Sequence, residues 1–95
     1  MPRVKIKLLP LLSIMAGIEE VEIRIEEGLS LMGLLERLSE RYGQRFRKFL
    51  FDIGTGELWR NVRITVNEVF IELDQIKRTE LKDGDIISIA PPRSI

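Results

Sequence analysis

Apolar and polar residues alternate at the start of the chain, where Val4, Ile6 and Leu8 are separated by Arg3, Lys5 and Lys7. A period of two marks a half-buried strand, predicted here over residues 3–9. Residues 10–18 then form a long apolar connection in which Leu11, Leu12, Met15 and Ile18 have roughly helical spacing, so a short helical turn is expected beneath the sheet. Alternation returns from Glu20 to Glu26, with Val21, Ile23 and Ile25 toward the core and Glu20, Glu22 and Arg24 toward water. The polar face of the first strand is basic and that of the second mostly acidic. Antiparallel pairing would set opposite charges side by side, worth about 0.2–1 kcal/mol per pair.

The period then changes. Leu31, Leu34, Leu35, Leu38 and Tyr42 follow the i, i+3, i+4, i+7 stripe of an amphipathic helix. Ser30 is a suitable N-cap, Leu29 and Leu34 are placed for a hydrophobic staple, and Gly43 is placed to end the helix. Gly33, in the first turn, costs about 1 kcal/mol relative to alanine and suggests close approach of another backbone. Gln44 to Phe51 is a second, shorter helix with Phe46, Phe49 and Leu50 inward and Arg45, Arg47 and Lys48 outward. After a loop broken by Gly54 and Gly56, Val62 to Val66 reads as a strand, Asn67-Glu68 as a turn, and Val69 to Leu73 as a short edge strand. A polar connection follows from Asp74 to Glu80. Lys82-Asp83-Gly84-Asp85 is a tight turn leading into a final buried strand, Ile86 to Ala90. Pro91 and Pro92 cannot donate to a ladder, so the chain leaves the sheet there.

The resulting order is two strands, a main helix with a shorter one, then three strands. A last strand placed beside the first, in parallel and at the sheet centre, leaves the helix on one face. This is an α+β fold of the β-grasp, or ubiquitin-like, type, with a mixed sheet of four to five strands on one main helix. Residues 1–95 are expected to form one domain.

Composition narrows the chemistry. Lysine plus arginine and aspartate plus glutamate each number 15, so bulk charge drives the chain toward neither nucleic acid nor acidic membranes. There is no cysteine and no histidine, which excludes disulfides, thiol catalysis, zinc-finger sites and imidazole bases. Arg3, Lys5 and Lys7 before the apolar run Leu8 to Ile18 superficially resemble a signal peptide with a poor cleavage site at Ile14-Met15-Ala16. The strand alternation argues against that, and the run is too short to span a bilayer. A soluble cytoplasmic protein is expected.

Several stretches together resemble the small sulfur-carrier proteins of the MoaD/ThiS type. They are Glu27-Gly28-Leu29-Ser30 followed by Leu34-Leu35, Asn61-Val62-Arg63-Ile64-Thr65-Val66-Asn67, Leu81-Lys82-Asp83-Gly84-Asp85, and Ile87-Ser88-Ile89-Ala90-Pro91-Pro92. The Asn-Val-Arg strand entry and the Pro-Pro pair are most similar to the small subunit of molybdopterin synthase. The resemblance implies a carrier with no cofactor, in place of a free-standing enzyme. Its C-terminal carboxylate would be activated by a ubiquitin-activating-like adenylating enzyme, converted to a thiocarboxylate, and inserted into a synthase large subunit. The family ends in Gly-Gly, because a narrow channel admits backbone without Cβ. Here Arg93-Ser94-Ile95 follow the prolines, no glycine occurs after Gly84, and Ile95 falls about where the first glycine belongs. A ubiquitin-like interaction module that cannot be thiocarboxylated is the alternative.

The candidate partner-binding residues are therefore the tail, Pro91, Pro92, Arg93, Ser94 and Ile95, together with Ile86, Ser88, Ala90 and Arg63 on the sheet face away from the helix. Arg41, Arg45, Arg47, Lys48, Arg60 and Arg63, with Phe46, Phe49, Phe51 and Trp59 among them, have the make-up of a basic-aromatic nucleic-acid surface. A solvated helix face over core phenylalanines explains them better, and no nucleic acid is expected. Glu19-Glu20, Glu26-Glu27 and Asp83/Asp85 are read as structural: neighbours on a strand point to opposite faces, and Asp83-Gly84-Asp85 belongs to its turn.

Overall fold

The computed structural model describes residues 1–91. Its strands are β1 (Arg3–Leu8), β2 (Glu20–Arg24), β3 (Arg63–Val66), β4 (Val69–Phe70) and β5 (Ile86–Ala90); its helices are α1 (Leu12–Ala16), α2 (Leu31–Tyr42) and α3 (Gln44–Leu50). The strands form a five-stranded sheet in the order β2-β1-β5-β3-β4. β1 and β5 run in parallel, with Ile6 beside Ile87 and Leu8 beside Ile89. The remaining neighbours are antiparallel. This is the expected β-grasp arrangement.

The alternating strands deliver Val4, Ile6, Leu8, Ile64, Ile87 and Ile89 to one sheet face, where they are buried with Leu31, Leu34, Leu35 and Leu38 of α2 and Phe46 and Leu50 of α3. Opposite charges do face each other across β1 and β2: Lys7 pairs with Glu20 at 4.0 Å, and Arg3 reaches Glu22 at 3.7 Å. The match is incomplete, because Arg3 lies directly opposite Arg24. These pairs are exposed and contribute little to stability.

α2 begins where its free N–H groups find partners. The Gly33 N–H donates to Ser30 Oγ at 3.1 Å, the predicted cap. The Leu31 N–H donates to the Thr79 carbonyl at 2.8 Å and the Met32 N–H to the Ile76 carbonyl at 3.3 Å. The distant segment 76–79 thus finishes the cap that Ser30 starts. Gly43, at φ +92°, ends α2 and starts α3 in a region that favours glycine. Gly33 has a different neighbour from the one expected: a Cβ there would sit 2.8 Å from Leu29 Cδ1, so it accommodates a side chain and no second backbone.

Other boundaries also shift. β2 stops at Arg24, and Ile25 turns fully inward with its N–H on the Pro2 carbonyl at 2.9 Å. β4 covers only Val69–Phe70, because Leu73–Gln75 forms a 3-10 turn that sends Ile76 into the core. α1 is present, but it buries Leu12, while Leu11 and Ile18 point outward. The final strand is buried on one side only, since Ile86 is exposed. Among the described residues, no helix is long and apolar enough to cross a membrane.

Arg37 grips Glu26 with two bonds, at 2.7 and 2.9 Å, tying the end of the β2 loop to α2. The guanidinium hydrogen bond, aided by a backbone hydrogen bond, holds the Glu26 carboxyl down at about 2, from 4.5. A depressed carboxylate contributes stability above its unfolded value, and this is lost as pH falls through the folded one. The stability difference between wild type and Glu26→Gln, measured by urea denaturation, should therefore be present near neutral pH and disappear on acidification from 4.5 to about 2. Leu35→Ala removes a fully buried side chain from α2 and should lower unfolding free energy by about 2–5 kcal/mol in the same assay.

Candidate docking surface

The turn before β5 is tied to both neighbouring strands. The Arg3 N–H donates to Asp83 Oδ1 at 2.8 Å, and the Gly84 N–H returns a bond to the Arg3 carbonyl at 2.8 Å. Asp85 accepts the Lys82 N–H at 2.8 Å and Asn67 Nδ2 at 2.8 Å. Asn67 Oδ1 in turn accepts the Ile86 N–H at 2.9 Å. Asn67 and Glu68 have φ of +52° and +69°, the left-handed pair of a tight hairpin turn, where asparagine is at home. The acidic pair Asp83/Asp85 therefore serves the turn, as expected, and among the described residues no cluster of histidine, cysteine, aspartate or glutamate is able to hold a metal ion.

β5 then runs between two ladders, so its path is fixed on both sides until Ala90. The residues that alternate away from the core form the open face of the sheet. Ile86 lies beside Lys5, Ser88 lies between Lys7 and Thr65, and Ala90 lies opposite Arg63. The structure thus brings together four of the predicted residues: Ile86, Ser88, Ala90 and Arg63. Pro91 follows β5, half-buried, at the point where the chain leaves the sheet. Pro92, Arg93, Ser94 and Ile95 lie outside the described residues.

Three contributors escaped the sequence-based reading. Phe70 pairs with Thr65 across the β3–β4 hairpin, so it shares the open face, where it is 52% exposed. Lys5 and Lys7 bring positive charge to the same surface through the parallel pairing. A shallow depression of about 400 Å³ lies between Lys7, Asn67, Glu68, Ile86 and Ser88. Counting parity from Thr65 across a two-residue turn would have placed Phe70 correctly. Across the sheet the row runs Lys7, Ser88, Thr65, Phe70, so hydroxyls at the centre are flanked by a lysine and an exposed aromatic, a mixed polar and apolar surface compatible with docking a protein.

The basic-aromatic group does not assemble as one surface. Phe46 and Phe51 are fully buried or nearly so, and Tyr42 packs on Phe46 with ring centroids 5.4 Å apart. Trp59 is exposed, but its indole N–H is committed to the Lys48 carbonyl at 2.9 Å. Arg63 is on the open sheet face, and the cations of α3 are on the helical layer.

A scan against protein-family models matches residues 7–94 to the ThiS family. The chain belongs to the ThiS family. Among solved structures, a Pyrococcus furiosus protein proposed to be molybdopterin converting factor, subunit 1, is 32% identical over 98% of this chain and 100% of its own, with a TM-score of 0.74. Small archaeal modifier protein 1 of Methanosarcina acetivorans is 29% identical over 100% of this chain and 97% of its own, with a TM-score of 0.82. A chain of the Amycolatopsis orientalis BexX/CysO complex is 17% identical over 97% and 98%, with a TM-score of 0.69, a likeness of fold alone. A comparison with curated proteins finds no match. The fold is thus that of the ubiquitin-like sulfur carriers, and the family match runs from the last residues of β1 through β5.

The Asn67 side chain joins the hairpin turn to the β5 entry. Asn67→Gly keeps the left-handed backbone while deleting both bonds, and should cost about 1–2 kcal/mol by chemical denaturation. Unchanged stability would show that the two bonds contribute nothing net.

Proposed function

We propose that this ThiS-family chain is a non-catalytic carrier subunit of the molybdopterin-synthase type. It would dock through its open sheet face and pass its C-terminal tail to a synthase large subunit and to a ubiquitin-activating-like adenylating enzyme. The observation that carries this reading is the placement of β5. A strand held on both sides by its neighbours releases the chain at Pro91, beside a face that exposes Phe70 and Ile86 among Lys5, Lys7 and Arg63. The molybdopterin assignment is supported by the 32% identity to the Pyrococcus furiosus protein. Docking to a partner is supported by the occurrence of the same fold in the BexX/CysO complex.

In such a carrier the terminal carboxylate is adenylated and then exchanged for a thiocarboxylate. The chain's own part is to hold the tail's root still and to exclude a wrong fit through the surrounding face. A second reading rests on the open sheet face alone, which can dock a partner without a reactive tail. On that reading the chain is an interaction module that docks without carrying sulfur.

Mass spectrometry of the protein from its own organism separates the two. A C-terminal oxygen-to-sulfur exchange after incubation with the cognate activating enzyme, ATP and a sulfur donor supports the carrier. A C-terminus that stays unmodified in a stable complex supports the module. In either case Phe70→Ala or Lys7→Glu should weaken binding to the synthase subunit by about 1–3 kcal/mol in calorimetry, with folding unchanged. Full affinity in both variants would rule out the sheet face as the docking surface.

A further inference from the structure

The connection between β1 and β2 presents its apolar residues to solvent. Leu9, Leu11, Ile14 and Ile18 are 40, 46, 71 and 38% exposed. Leu12 is the buried residue of α1, and Met15 and Ala16 pack partly against the core beside it. Leu11 enters α1 at φ +80° and ψ −55°, a strained conformation for a leucine, and one that holds its side chain away from the core. Burying these groups or replacing them with polar ones would relieve an exposed apolar surface, so their display calls for an occupant.

The other wall of this region is α3. Arg45, Lys48 and Phe49 occupy i, i+3 and i+4 positions, and with Met15 they line a cleft of about 350 Å³ between α1 and α3. Arg45 and Lys48 are exposed and make no ion pair among the described residues. Neither α1, Leu-Ser-Ile-Met-Ala, nor α3, Gln-Arg-Phe-Arg-Lys-Phe-Leu, contains a carboxylate. Arg47 is already engaged, stacked 4.5 Å over the Phe51 ring. The cleft therefore has an apolar floor and an uncompensated basic rim. It is also connected to the root of the tail: the Leu9 N–H donates to the Ile89 carbonyl at 3.0 Å.

We propose that the α1–α3 cleft is a second docking site, separate from the open sheet face, for an acidic amphipathic segment of a protein partner. Apolar side chains of that segment enter between Met15 and Phe49 and cover Ile14. Its carboxylates meet Arg45 and Lys48. The charge of the rim selects the acidic segment over a basic or neutral one, and steers its approach. A partner held there is tethered beside the tail's root while the sheet face remains free, so two contacts reinforce each other by effective concentration.

The test pans a randomised peptide library displayed on phage against the intact protein. The expected winners interleave aspartate or glutamate with leucine or phenylalanine. Synthetic versions should shift the ¹⁵N amide signals of residues 11–17 and 44–50. Their affinity should fall with added salt and drop about tenfold or more in Arg45→Glu/Lys48→Glu and in Ile14→Asp, while Lys77→Glu binds like wild type. These variants alter exposed side chains, and circular dichroism checks that each is folded. The proposal is overturned by recovery of no binder, by basic or purely apolar winners, or by acidic winners whose affinity the cleft variants leave unchanged. It is also overturned if the patch binds phosphatidylserine vesicles without acidic peptides, or if sedimentation shows a dimer that Ile14→Asp dissociates.

Discussion

The parallel pairing of β1 with β5 is the constraint on which the remainder of the structure rests. Antiparallel strands need only a turn between them, whereas parallel strands need a crossover. Here the crossover is nearly the whole chain, and it carries α2 and α3 across one face of the sheet. That face becomes the core, with Ile6 and Leu8 beside Ile87 and Ile89. Among the described residues, no helix covers the opposite face. Its exposure is thus a product of topology, and the side chains that alternate onto it become the material available for recognition.

The ends of β5 are treated differently. At its entry, Asp83 and Asp85 bond to β1, to their own turn and to Asn67, so the strand begins at a fixed position. At its exit, Arg63 opposite Ala90 is the last register partner, and Pro91 cannot donate to a further ladder bond. The strand is thus fixed where it enters the sheet, and its ladder ends just before Pro91. The β1–β2 connection, joined to β5 through Leu9 and Ile89, belongs structurally to the exit end.

Periodicity made much of this legible. The two-residue period of β1 and β2 and the leucine stripe of α2 are local signals, and each was displayed by the residues concerned. The cap of α2 was only half visible. Ser30 announces itself, but the carbonyls of Ile76 and Thr79 arrive from a segment whose polar sequence reads as a mere connection. The short β4 was overextended for a related reason: Leu73 looks like a strand residue until a 3-10 turn over Leu73–Gln75 ends the extended run and carries Ile76 into the core. The candidate site was legible where parity alone decides it, as for Ile86, Ser88 and Ala90. Lys5, Lys7 and Phe70 join it through strand neighbours, and neighbourhood is a property of the assembled sheet. In the apolar connection, the helical turn and the inward packing of Leu12 and Met15 are as expected, while Leu11 and Ile18 lie outside α1 and are exposed.

The central position of β5 also has a temporal meaning. Of the sheet's strands, the one at its middle is the last to be synthesised, and both β1 and β3 wait for it. Until residues 86–90 are available, the β1–β2 hairpin and the β3–β4 hairpin have no partner between them. Non-local pairing of this kind is slow relative to helix formation. The ladder that closes the sheet is also the one that places Ala90 beside Arg63, so a half-made chain has neither. Completion of the core and assembly of the open face around Ile86 and Ser88 are thereby a single event.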